Sequence, residues 1–182
     1  MIVGLEGEVV HKEPMLVWIQ CAGITYEVHI SLQTSSQIQK GQVNLFITQI
    51  IRDDGNFLYG FLHKEEKYTF ERLIRVNGIG PKVSLAILSS FSPSEFTNLL
   101  ASKDTKSLQK VPGVGAKSAG RIMVELAGFI LQTGSSEEKI QARMALEALG
   151  FRSEQVTKVL ATLQESDVQT IIKEALKQLQ GE

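Results

Sequence analysis

The chain has 182 residues, 43% of them apolar, which is enough for one ordinary domain or for two or three small ones. A formal net charge of −1 excludes a protein coated with positive charge, but the charge is uneven: −3 over residues 1–63, +4 over 64–128 and −2 over 129–182. No window approaches the roughly 20 apolar residues of a membrane span, and the first residues lack signal-peptide features, so we expect a soluble cytoplasmic protein.

Five short segments rich in Val, Ile and aromatic residues occupy the first 63 residues and predict β-strands. Gly, Asn, Asp or Pro separates them, and no long helical pattern lies between them. Such short strands in so small a region favour a small barrel of the OB type, with a sandwich as the alternative. The predicted strands are Ile2–Val10, Leu16–Cys21, Tyr26–Ile30, Val43–Ile51 and Phe57–Leu62.

The cysteine and the histidines of this region show no pattern typical of a metal site. Cys21 is the only cysteine, so no internal disulfide can form, and its apolar surroundings predict a core residue. His11, His29 and His63 are scattered, with no Cys or carboxylate at ligand spacing. We therefore expect neither a metal nor a cofactor.

Two adjacent acids, Asp53 and Asp54, precede Gly55 and Asn56 between the last two predicted strands. Taken alone, the pattern predicts a β-hairpin turn whose acids stay in water. The functional alternative is an acidic wedge, in which two exposed carboxylates repel a polyanion at a chosen place.

An internal repeat marks the middle of the chain, where apolar residues take helical spacing from Glu65 onward. Six residues recur at a displacement of 35 positions, and each copy predicts a short helix, a tight Gly-x-Gly turn and a second helix. The residues Leu73, Val76, Gly78, Gly80, Lys82 and Ile87 recur as Leu108, Val111, Gly113, Gly115, Lys117 and Ile122.

The two Gly-x-Gly turns have the chemistry of a phosphate-binding corner. Their glycines permit positive φ and place no Cβ before a ligand, while the next helix directs its unpaired N–H groups and a lysine to the same place. None of these groups reads a base, so DNA binding should ignore sequence and depend on salt. The predicted phosphate ligands are Gly78, Gly80 and Lys82, then Gly113, Gly115, Lys117 and, one turn later, Arg121.

A plain structural turn and a dinucleotide site are the alternatives to phosphate binding at these turns. A single Gly-x-Gly is usually only a turn, but two in register within the one basic segment favour phosphate binding. Dinucleotide binding is excluded because Val83 and Ser118 replace the third glycine of its motif and no strand precedes either turn.

The end of the chain predicts a three-helix bundle behind a polar linker. Gly150 should end its first helix, Ser153 should open the second and Asp167 should cap the third. The predicted organisation is therefore a barrel at 1–63, a helical domain at 64–130, a linker at 131–137 and a bundle at 138–182, in an α+β multidomain chain.

Six motifs follow one another in a specific order: Met1-Ile2, Arg52-Asp53-Asp54, Leu58-Tyr59-Gly60-Phe61, Asn77 to Lys82, Val111 to Lys117, and Ala148-Leu149-Gly150-Phe151. In this order they resemble the RuvA family of Holliday-junction-binding subunits of the bacterial RuvAB branch-migration complex. The resemblance covers the whole chain. Each motif is weak alone, but together they are specific.

The resemblance implies an OB barrel, a tandem helix-hairpin-helix domain and a mobile C-terminal domain that contacts the hexameric ATPase RuvB. It also implies a fourfold tetramer, alone or paired face to face on DNA, with the RuvC resolvase in the same complex. The seven predicted phosphate ligands would grip phosphates on the junction arms, and Asp53 with Asp54 would form an acidic pin at the crossover. Residues proposed to meet RuvB are Leu149, Phe151, Ile172 and Leu176.

The same resemblance implies a protein without catalytic residues. In agreement, the ATPase loop Gly-x-x-x-x-Gly-Lys-Ser/Thr does not occur in this sequence, so the partner RuvB would consume the ATP. One departure concerns the barrel: family members often carry arginines where this chain has Gly4 and Glu6.

Two other classes of protein fit parts of the sequence. A structure-selective nuclease or glycosylase also uses such hairpins, and Asp53 with Asp54 would then hold magnesium, but no third carboxylate accompanies them and strand neighbours face opposite ways. A protein-binding scaffold is the other class, and it predicts no junction binding at moderate salt.

Overall fold

The computed structural model describes residues 1–126, 137–163 and 167–180. The chain divides into two compact units, residues 1–127 and residues 128–182. Within the described residues, no helix is long and apolar enough to cross a membrane. The barrel and the repeat lie in the first unit, and three further helices lie in the second.

A closed five-stranded barrel opens the first unit, with the strand order β1-β2-β3-β5-β4. β3 and β5 are parallel, whereas all other neighbours are antiparallel. This order confirms the predicted OB-type barrel over the sandwich, and the observed strand ends lie within three residues of the predicted ones. The strands are β1 Gly4–Glu13, β2 Leu16–Cys21, β3 Ile24–His29, β4 Gln42–Arg52 and β5 Gly55–Phe61, with a helix α1, Leu32–Gln37, between β3 and β4.

Every second side chain along the strands points into the barrel, and these side chains fill its interior. In β2, for example, Val17 and Ile19 are buried, whereas Trp18 between them faces outward. Cys21 is partly buried against this core, consistent with its predicted packing role. The buried residues that form the core are Leu5, Val17, Ile19, Val28, Ile30, Ile38, Leu45, Ile47 and Leu58.

The repeat forms two helix-hairpin-helix copies, which confirms the predicted helical middle region. The first copy consists of α2, Lys64–Leu73, and α3, Pro81–Ser90, and the second of α5, Thr105–Leu108, and α6, Ala116–Glu125. Between them, α4, Pro93–Ala101, begins with a capping box in which Ser92 and Glu95 satisfy each other's backbone N–H groups. Leu73, Val76, Ile87, Leu108, Val111 and Ile122, which recur in the sequence, are all buried.

Polar and aromatic contacts fix the barrel to the helices that follow it. The buried carboxylate of Glu66 in α2 accepts hydrogen bonds from the hydroxyls of Ser31 at 2.5 Å and Thr34 at 2.6 Å. Ser31 is the N-cap of α1, and Thr34 lies within α1. The ring of Phe70 lies 5.0 Å from that of Tyr59 in β5. Because these contacts join α1 and β5 to α2, the first hairpin has a fixed position relative to the barrel.

The described residues of the second unit form three helices that pack around a small apolar core: α7 Glu137–Ala148, α8 Ser153–Thr162 and α9 Val168–Gln180. α7 ends at Ala148, and Gly150 terminates it as predicted: its φ is +93° and its N–H donates to the carbonyl of Glu147 at 3.0 Å. The predicted cap is also present, since the Asp167 carboxylate accepts from the Thr170 N–H at 3.0 Å. The core residues are Ala142, Leu146, Val156, Leu160, Leu163, Ile171 and Ala175.

The predicted linker at 131–137 lies outside the described residues, apart from Glu137, where α7 begins. The predicted domain limits after residues 63, 130 and 137 stay predictions.

Candidate nucleic-acid interface

Each hairpin between two helices is a four-residue turn, Val76–Ile79 in the first copy and Val111–Val114 in the second. In both turns the carbonyl of the first residue accepts a hydrogen bond from the N–H of the fourth at 3.0 Å. The third residue has a positive φ, +84° at Gly78 and +86° at Gly113. A side chain is disfavoured in this conformation, so the turn itself requires glycine at both positions.

The second glycine of each hairpin has a different backbone conformation. Gly80 has φ −92° and ψ 173°, and Gly115 has φ −92° and ψ 176°, which is extended backbone open to any residue. The positive φ that glycine permits is therefore adopted by Gly78 and Gly113 but not by these two. A Cβ at either position would meet no described atom within 4 Å, so the space before their backbone is open.

Both second glycines are also the N-caps of the helices that follow, α3 and α6. Neither cap position carries a side-chain hydrogen bond to the helix, so the first N–H groups of these ten-residue helices are left for another partner. The dipole adds about half a positive charge at each of these ends. One difference separates the two: α3 starts with Pro81, which has no N–H, and α6 starts with Ala116, which has one.

Three exposed cations surround these helix ends. Lys82 and Lys117 are the second residues of α3 and α6, and Arg121 follows one turn later in α6. Although the sequence placed Arg121 beside the second hairpin, its Nη1 donates to the carbonyl of Asn77 in the first hairpin at 3.0 Å.

The two hairpins, here called the first corner (residues 76–82) and the second corner (residues 111–117), also meet through their first glycines. A Cβ at Gly78 would lie 3.2 Å from Nη1 of Arg121, and a Cβ at Gly113 would lie 3.1 Å from Cγ2 of Val83. Each first glycine therefore packs against the second helix of the other copy. These contacts place the two corners next to each other in the first unit, and both first glycines are exposed.

The acidic pair Asp53–Asp54 forms the two-residue tip of the β4–β5 hairpin, where Arg52 pairs with Gly55. Both carboxylates are exposed. Burial raises the pKa of the nearby Tyr59 hydroxyl; the Arg52 charge opposes this shift and the Asp54 charge adds to it. In the part of the chain that the structure describes, no three His, Cys, Asp or Glu side chains cluster as a metal site would require.

The predicted partner residues of the second unit differ in exposure. Leu149 is 63% exposed, but Phe151, Ile172 and Leu176 are partly buried and pack against the core of the unit. Met144, which is not among the predicted partner-binding residues, is 57% exposed. Binding of a partner by these residues stays a prediction, and Leu149 offers it the most apolar surface of the four.

Two features of this surface were missed by sequence reasoning. The contact of Arg121 with Asn77 leaves no local signal, because the two residues lie 44 positions apart. The contrast of Pro81 with Ala116, by comparison, was readable by aligning the two copies.

Comparison with known proteins gives matches along the chain. Residues 1–60 match the family described as RuvA N terminal domain, residues 70–127 the SAM-like Helix-hairpin-helix tandem, and residues 140–180 the RuvA, C-terminal domain. Three relatives carry the name Holliday junction branch migration complex subunit RuvA. The Wolinella succinogenes protein is 48% identical over 186 residues, which cover 99% of this chain and 98% of the relative. Identity is 48% over 99% of both chains for Sulfurimonas denitrificans, and 47% over 100% of both for Helicobacter pylori strain HPAG1.

Proposed function

The chain belongs to the RuvA family, and from that premise we propose that it binds four-way DNA junctions by their backbones, holds them open and square, and acts with the RuvB motor in branch migration during recombination and DNA repair. The observation that carries the proposal is the pair of neighbouring corners, each with an uncapped helix end and open space before its second glycine. Relatives that match over the full length bear the name of a branch-migration complex subunit.

Each corner suits a phosphate because three favourable features occur together there. The glycine backbone is accessible, the helix supplies unpaired N–H groups with the positive end of its dipole, and Lys82 or Lys117 adds a full charge. Backbone N–H groups and lysines contact phosphates alike in every sequence. The protein should therefore recognise the shape of a junction and ignore its bases.

The acidic hairpin tip supports a second role in the same assembly. In a fourfold tetramer, four copies of Asp53–Asp54 would meet near the crossover as an acidic pin. Exposed carboxylates repel the phosphates of the strands that exchange there, which favours their separation. The corners then attract the arms while the pin keeps the centre open.

We infer that the chain is a subunit without catalytic residues or cofactor. RuvB would then hydrolyse the ATP, because this sequence has no phosphate-binding loop of the ATPase kind. We also propose that the chain forms a tetramer, or two tetramers face to face on DNA, and that RuvC joins the same complex. The proposed location is the cytoplasm. The second unit is the proposed contact for RuvB, with Leu149 exposed on it.

Replacing both corner lysines tests the proposal. Lys82→Ala with Lys117→Ala should weaken junction binding by about 100-fold or more, because each of the two charge-assisted hydrogen bonds contributes about 1.5–3 kcal/mol. The slope of log affinity against log salt should also flatten by about 0.9 for each phosphate that the variant no longer neutralises. Both quantities are measured by fluorescence anisotropy with a labelled four-way junction at several salt concentrations.

The matched control is Lys40→Ala with Lys158→Ala, which removes the same charge from exposed positions of the barrel and of the second unit. This control should bind with nearly the parental slope. An unchanged slope in the corner variant would contradict the phosphate-grip mechanism.

A further inference from the structure

Arg121 belongs to the second copy of the repeat, yet it contacts the first corner. We propose that Arg121 serves the phosphate held at the first corner, so that this one site is built from both copies and the two corners are chemically unequal. The inference rests on the proposed function and specifies the composition of one of its phosphate sites.

The placement of the guanidinium carries the inference. Nη1 of Arg121 donates to the carbonyl of Asn77 at 3.0 Å and would lie 3.2 Å from a Cβ at Gly78. Asn77, Gly78 and Arg121 are all exposed. A guanidinium has five N–H donors, and the bond to Asn77 uses one of them. The charge therefore lies beside the exposed backbone of Gly78, at the corner where a phosphate would approach.

The second corner has no counterpart to this arrangement among the described residues. Ala86 occupies the position of the first copy that corresponds to Arg121, at the repeat displacement of 35 residues. The group that packs against Gly113 is instead the methyl of Val83, at 3.1 Å from a Cβ built there. The first copy thus contributes an apolar contact where the second contributes a cation.

The N-terminal ends of α3 and α6 differ in the number of backbone N–H groups, and here the second corner has the advantage. At the first corner Pro81 withholds an N–H that Ala116 supplies at the second. The first corner accordingly combines Lys82, Arg121 and fewer amides, whereas the second combines Lys117 and one amide more. Charge should dominate at the first site and main-chain hydrogen bonds should count for more at the second.

Double-mutant cycles on the full-length chain test the assignment. Arg121→Gln, Lys82→Gln and Lys117→Gln are made singly, and Arg121→Gln is combined with each lysine variant. Groups that act on one phosphate depend on each other, whereas separate sites lose affinity independently. The combined loss for Arg121 and Lys82 should therefore differ at least about threefold from the product of the single losses, and that for Arg121 and Lys117 should agree within about twofold.

A site-resolved readout separates a phosphate contact from a merely structural role. Backbone amide NMR shifts of the glycines are followed while a junction is added to the parent and to Arg121→Gln. The junction-induced shifts of Gly78 and Gly80 should fall at least about twofold in the variant, and Arg121→Lys should restore part of them because it keeps the charge. The shifts of Gly113 and Gly115 should stay as in the parent.

Lys158→Gln in the second unit is the charge control, and thermal unfolding checks that each variant is folded. Coupling of Arg121 to Lys117, or to neither lysine, overturns the inference while leaving the corners as phosphate sites. Equal changes at all four glycines overturn it as well. Single variants that all bind like the parent would instead reject the phosphate-grip mechanism itself.

Discussion

Glycines at the two corners meet two separate demands, one from the backbone and one from the ligand. Gly78 has a positive φ and closes its turn, so the fold requires it. Gly80 and Gly115 have ordinary extended backbone and open space where a Cβ would be. Since neither strain nor packing accounts for them, the approach of a phosphate is the physical reason that we assign to these glycines.

Alanine substitutions should separate the two demands. Gly80→Ala with Gly115→Ala should change the free energy of unfolding by no more than about 1 kcal/mol per site, the usual difference between helix caps, yet weaken junction binding by roughly tenfold because two methyl groups obstruct the phosphates. Gly78→Ala should lose about 1–2 kcal/mol of stability from its positive φ. Urea unfolding and gel-shift assays with a junction measure the two effects. Normal binding by the Gly80 and Gly115 variant would contradict the assigned role of the open space.

At the scale of elements, the barrel and the hairpins act as one scaffold because α2 is tied to both. The buried Glu66 binds the hydroxyls of Ser31 and Thr34, and Phe70 packs on Tyr59 of β5. A buried carboxylate is tolerated when hydrogen bonds satisfy it, and such a network fixes one arrangement of the elements it joins. The β4–β5 hairpin with its acidic tip is thereby held in a fixed position relative to the corners.

Neutralising that hairpin tip gives a prediction about the pin. Asp53→Asn with Asp54→Asn should leave the free energy of unfolding within about 0.5 kcal/mol of the parent, because both side chains are exposed. Strand separation at the crossover should decrease and binding to plain duplex should increase, since repulsion of phosphates is lost. A 2-aminopurine base at the crossover reports the first effect, and anisotropy with a duplex reports the second.

The control for the pin is Glu8→Gln with Glu154→Gln, which removes two exposed acids elsewhere. Equal effects of the two double variants would show that net charge, not the position of the pin, governs the result.

For the whole molecule, the distribution of charge matches the division of labour that we propose. The basic segment, +4 over residues 64–128, carries both corners, and it is flanked by segments of −3 and −2. Attraction for DNA is therefore concentrated at one part of the chain. The second unit has its own small core and carries the exposed Leu149.

Truncation after Gly134 tests this division. The shortened chain should bind a junction within about twofold of the parent, because both corners lie entirely within the first unit. Its stimulation of RuvB ATPase activity on junction DNA should be lost. Phosphate release by RuvB is the measurement, and circular dichroism of the shortened chain checks that the first unit is folded. Stimulation that survives the truncation would contradict the role assigned to the second unit.

The sequence by itself determined the strands, the duplicated hairpins and the helix caps. These depend on contacts between near neighbours: alternation in β2, the spacing of Gly78, Gly80 and Lys82, and the capping of α9 by Asp167. Patterns of this kind involve residues close together in the sequence, so they can be recognised without knowing which element packs against them. The RuvA resemblance was readable for the same reason, since it rests on short motifs in order.

Only the tertiary structure decided how these pieces meet. It formed the short polar helix α1, which gave no apolar period, and buried Glu66 against it. Tertiary packing also turned Arg121 toward Asn77 of the other copy, and it left Leu149 exposed while partly burying Phe151. A long side chain reaches whichever group the packing of distant segments brings near, and burial depends on that same packing. Neither is specified by local spacing along the chain.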